Sequence, residues 1–207
     1  MKKGKKVLLL AASALLLVSL SVGLTVAYFT DSDEVKNVFT VGNVDISIDE
    51  EGAEENDDGS YGQTYEDIVP GEVYPKAPTV TVEEGSLESY VRMMVTVKFE
   101  NALDDTYLGD KLDGIFKGVD NEKWILNAKT VADDMTSVVY EYRYASTVAA
   151  PDAAVVLEPI FTDVQFDGEI WGNELKNLDN MQINVEGHAI QAFGFADADA
   201  AWAAFTK

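Results

Sequence analysis

Alternation with a period of two constrains this chain most. Val91, Met93, Val95, Val97 and Phe99 alternate with Arg92, Met94, Thr96 and Lys98. Val138, Tyr140, Tyr142 and Tyr144 do the same, as do Met181, Ile183 and Val185, and Val44, Ile46 and Ile48. Successive side chains of a strand point to opposite faces, so each run reads as a half-buried strand. Val80 and Val82 mark a further strand after Pro75 and Pro78, and residues 155–157 and 160–166 two more, broken at Pro159. The phase of the last alternation changes at Gly187, which predicts a bulge or a strand end there. Helices are few: residues 171–178, and residues 196–205 with Asp197 or Asp199 as cap and Trp202 and Phe205 on one face. Residues 100–131 follow no clear period. The expected fold is all-β, a jelly-roll-type antiparallel β-sandwich with a few short helices.

The N-terminus is organised differently. Lys2, Lys3, Lys5 and Lys6 precede an apolar run over residues 7–24, and Thr25 and Ala27 stand at −3 and −1 of a cut before Tyr28. This is the layout of a secretory signal peptide. The expected organisation is therefore a leader over 1–27, an N-terminal segment over 28–41 and one domain over 42–207. The four lysines leave with a leader that holds no acid, so the −22 of the whole chain becomes four more negative, −26. Such a surface repels nucleic acid and anionic lipid and favours cations and basic partners. With no cysteine there is no disulfide framework and no thiolate chemistry.

Catalytic signals are sparse. His188 is the only histidine, on an expected strand facing solvent or the rim, with no zinc-binding helix motif and no serine singled out beside it. No catalytic residue or resident cofactor is expected. Residues 49–61 form an acidic loop, where Asp57 and Asp58 are candidate calcium ligands by donor type, though not by spacing. Trp171 and Trp202 read as packing residues on short helices.

Two blocks carry a family resemblance. The first is Ala27-Tyr28-Phe29-Thr30-Asp31 followed by Phe39, Gly42, Val44, Asp45 and Ile46; the second holds Pro70, Gly71, Lys76, Gly85, Ser86 and Leu87. Together they resemble the TasA/camelysin family, secreted by Gram-positive bacteria through a SipW-type signal peptidase. The resemblance implies a jelly-roll fold and a secreted role in the biofilm matrix or at the cell surface. It also implies head-to-tail fibres, built when the N-terminal segment of one subunit completes the sheet of the next, alone or with other matrix proteins. Tyr28, Phe29, Val38, Phe39 and Val41 would be the assembly residues, and residues 31–37 an adjustable spacer. An extended segment freed by cleavage suits addition to a sheet edge. The alternatives are a camelysin-like secreted metallopeptidase and a calcium- or glycan-binding surface β-sandwich.

Overall fold

The computed structural model describes residues 30–33, 44–50, 54–55, 61–65, 68–103, 111–169, 178 and 180–206. Fourteen strands and one helix lie among them. The strands are β1 (Thr30–Asp33), β2 (Ile46–Asp49), β3 (Glu54–Glu55), β4 (Tyr61–Tyr65), β5 (Val73–Pro75), β6 (Thr79–Val82) and β7 (Ser86–Lys98). They continue as β8 (Phe116–Lys117), β9 (Trp124–Val131), β10 (Ser137–Tyr144), β11 (Val148–Ala150), β12 (Val155–Val156), β13 (Asp163–Gln165) and β14 (Met181–Gln191). Helix α1 is Ala198–Ala204. Every described strand pair is antiparallel.

The large sheet runs β3-β4-β14-β7-β10-β9, with β1 also on β14 and β11 also on β7. Two three-stranded sheets, β12-β6-β2 and β5-β13-β8, make the second layer. Val91, Met93, Val95 and Val97 of β7 face this layer, with Val138, Tyr140 and Tyr142 of β10 beside them, all nearly sealed from solvent. Phe116 of β8 meets Tyr140 edge-on at 5.5 Å and stacks on Phe161 at 4.7 Å. The alternation thus does what its period demands: one face of each long strand builds the core. The result is the expected antiparallel all-β sandwich.

At Gly187 the structure differs from the expectation of a bulge or strand end. The register of β14 on β7 runs unbroken from Gln182 to Gln191. The hydrophobic phase changes because α1 covers the outer face there, so Ile190 is buried with Ala201 and Trp202 in a second small core. Gly187 itself faces β2, where an added Cβ would stand 3.0 Å from Ile48 Cδ1. A strand buried on both faces loses its polar-out pattern. The expected helix cap holds: Asp197 Oδ1 accepts from Ala200 N at 2.9 Å. The expected helix at 171–178 lies outside the described residues, apart from Leu178, which is buried in a turn.

Candidate assembly edge

β14 offers the large sheet an edge on the side away from β7. Its first part, Met181 to Asn184, is occupied there by β4. Its second part is occupied by β1, with Thr30 opposite Ile190, Asp31 opposite Ala189, Ser32 opposite His188 and Asp33 opposite Gly187. The N-terminal segment of the chain therefore lies on the chain's own sheet. This differs from the expected division into strand and spacer, because Asp31 and Asp33 belong to the strand. A short strand at a sheet edge tolerates charge, which discourages pairing in the wrong register.

Behind this edge, α1 clamps the outer face of the sheet. His188 is 3 % exposed, not at the rim as the sequence reading had it. Its ring stacks on Phe205 at 4.7 Å, and its Nδ1 accepts from Arg92 Nε at 3.1 Å. Because Nδ1 carries a lone pair, the ring proton belongs to Nε2, which lies 3.3 Å from Glu186 Oε1. The Arg92 guanidinium lies 4.3 Å from the Trp202 ring and 4.9 Å from that of Phe205, in cation–π contact with both of these adjacent rings. Glu141 Oε1 is 3.6 Å from Arg92 Nη1 and accepts from Arg143 Nε at 2.6 Å. Arg143 also reaches α1, donating to Asp199 Oδ1 at 2.5 Å. Burial pushes the Arg92 guanidinium down and Glu141 opposes it. Around Arg143, burial also acts downward, but the bonds to Glu141 and Asp199 outweigh it and hold the group up. The helix is thus tied to the back of the strand on which β1 lies. The only sequence signals for this cluster were the phase change at Gly187 and the spacing of Trp202 and Phe205.

Residues of the second sequence block have framework roles. Gly71 and Gly85 sit at φ +82° and +90°, where glycine is favoured. The Ser86 hydroxyl bonds both the N–H and the carbonyl of Asp45 at 3.1 Å, tying the start of β7 to the approach to β2. Lys76 is buried and paired with Glu50. Leu87 is half exposed. Of the site residues read from the sequence, Thr25, Ala27, Tyr28, Phe29, Val38, Phe39, Val41, Asp57 and Asp58 lie outside the described residues.

Residues 2–88 match the family model of the camelysin metallo-endopeptidases. The TasA/camelysin resemblance holds. The match takes in β1 to β6 and ends just inside β7. No curated protein and no solved structure matches the chain. The camelysin description implies a metal, and His188 does not fit one: its Nδ1 is bound by an arginine whose positive charge opposes a dication. Among the described residues no group of three or more His, Asp or Glu side chains is placed to hold a metal ion.

Proposed function

We propose that the chain is a secreted structural subunit of the biofilm matrix or cell surface, joined to its neighbours by exchange of the N-terminal strand. The observation that carries this reading is the pairing of β1 with β14. β1 starts three residues after the expected cut, and residues 34–43 connect it to the body. Ten residues reach at most about 35 Å, so β1 can leave its own sheet and take the same place on another copy. The backbone hydrogen bonds are then the same in kind within a copy or between copies. The choice is set by concentration and linker geometry. Such a contact is heterologous and extends into a filament unless the rotation closes a ring.

The competing reading, a secreted metallopeptidase, is favoured by the description of the matching family model alone. Electron microscopy and light scattering of residues 28–207, compared with residues 38–207, test the proposal. Circular dichroism confirms that each is folded. Exchange predicts fibres from the longer chain and folded, non-extending protein from the shorter one. Fibres of normal length without residues 28–37 reject it.

A further inference from the structure

His188 is the chain's one histidine, and histidine is the side chain whose ordinary charge change falls between about pH 5 and 8. In the folded protein it is sealed between the large sheet and α1. A second proton on its ring would meet charged groups from every side. From β7, Arg92 Nε donates to Nδ1 at 3.1 Å, and a guanidinium does not give up its proton. From its own strand, Glu186 Oε1 lies 3.3 Å from Nε2. From β10, Glu141 and Arg143 pair with each other, and Glu141 also stands 3.6 Å from Arg92. From α1, Asp199 is engaged by Arg143. From β1, Ser32 is opposite His188 in the register, between Asp31 and Asp33.

The added proton goes to Nδ1, the ring nitrogen that carries the lone pair. An acceptor thereby becomes a donor and faces the Arg92 donor, with a positive charge on each side of a 3.1 Å contact. Glu186 opposes this. Its side chain is 27 % exposed against 4 % for His188, so water screens its attraction more than it screens the buried repulsion. The Phe205 ring already lies 4.9 Å from the Arg92 guanidinium, so one cation is at that ring before a second arrives. His188 and Arg92 stand opposite each other on strands whose register runs unbroken from Gln182 to Gln191, so neither strand gives way. α1 can. It has seven residues, too few to hold as a helix by itself. Its seat is small: Ala201 and Trp202 against Ile190, two rings against Arg92 and His188, and Asp199 on Arg143. The Trp202 indole N–H is buried with no hydrogen-bond partner among the described residues, so it gains one from water when the helix lifts.

We propose that α1 is an acid-released latch: protonation of His188 lifts Ala198–Ala204 and Phe205 from the sheet. Lifting admits water to the imidazolium and the guanidinium together, and uncovers Ile190 on the back of β14. The latch works whether β1 lies on its own sheet or on a neighbour's, so it does not rest on strand exchange.

The test compares the secreted chain at about pH 7.5 and about pH 5.5, both above the ordinary carboxylate range. Hydrogen exchange read by mass spectrometry, corrected for the intrinsic pH dependence of amides, reports on α1. NMR of a chain labelled at histidine reports on the one imidazole. Protection over α1 should fall at least tenfold at the lower pH, reversibly and in step with the imidazole titration, while that of β7 and β14 holds. His188→Asn keeps an acceptor for Arg92 without the titration, so its α1 should be equally protected at both pH values. If that variant loses the helix at the higher pH, Arg92→Gln replaces it: the guanidinium gives way to a neutral donor, and acid should then leave α1 in place. Protection of α1 that holds while the imidazole titrates overturns the proposal. So does an imidazole that stays neutral at the lower pH, or an acid-induced loss of protection that persists in the variant.

Discussion

Lys76 and Glu50 form the most isolated ion pair described in the molecule. The lysine side chain is fully covered and the Glu50 side chain is 6 % exposed. Burial pushes the amine below the usual lysine range, while Glu50 pulls it back up by charge and hydrogen bond. Folding therefore releases protons below the ordinary value of 10.5, and this group makes stability rise as pH climbs toward 10.5. Lys76→Met fills the space of the stem but strands a buried carboxylate. Breaking a buried pair from one side costs about 3–5 kcal/mol. For a domain of this size that lowers Tm by about 6–20 °C. Lys76→Met with Glu50→Met removes both charges, and should return to within about 1 kcal/mol of the parent or exceed it. Urea unfolding of residues 28–207, of Lys76→Met, of Glu50→Met and of the double variant gives the coupling directly. A cost under about 1 kcal/mol for Lys76→Met alone would refute the reasoning, since Glu50 would then have water or another partner.

Three further outcomes follow from the geometry. His188→Ala removes the acceptor of Arg92 and the ring beneath Phe205, so stability should fall by about 1–3 kcal/mol; any casein hydrolysis by the purified protein should be unchanged, and its loss would point to the enzyme reading. The Tyr142 phenol is pushed up to about 12 by burial and by Asp113, and that of Tyr144 to about 12 by burial and its bond to Glu158. A raised phenol contributes stability fully present below pH 10 and lost as pH rises toward 12; for Tyr142 this is on the order of 2 kcal/mol, and Tyr142→Phe should flatten that limb of the pH–stability curve. Finally, the large negative charge opposes approach of copies, so salt or mild acid should speed fibre growth in light scattering, and growth slowed by salt would contradict the exchange account.

The long strands were legible because each has one face on the core and one toward solvent. β7 and β10 show this in Val91 to Val97 and Val138 to Tyr142. β9 was not legible, for a physical reason. It is an end strand, it exposes Ile125 and Leu126 side by side, and its register shifts against β10 between Glu141 and Tyr142. The extra residue breaks the period that would have announced it. At β14 the signal was present but divided. Ile190 out of phase and Trp202 three residues before Phe205 each implied an apolar surface, and only the fold brings them together. His188 was misplaced for the same reason, since nothing local to it shows that α1 returns over the sheet. Within the N-terminal segment, charge alone made Asp31 and Asp33 read as spacer. Backbone pairing does not need apolar side chains, and β1 forms through them.

The central claim is that β1 leaves its own β14 and takes the same place on a neighbour. Asp31 and Ala189 are opposite each other in the register, and the chain has no other cysteine to interfere. Asp31→Cys with Ala189→Cys, oxidised after assembly and run on a denaturing gel without reductant, reads the partner of β1 directly. Exchange predicts a ladder of covalent multimers from assembled samples and a cross-linked monomer from dilute ones. A cross-linked monomer alone from fully assembled fibres would show that β1 stays on its own sheet, and would contradict the account.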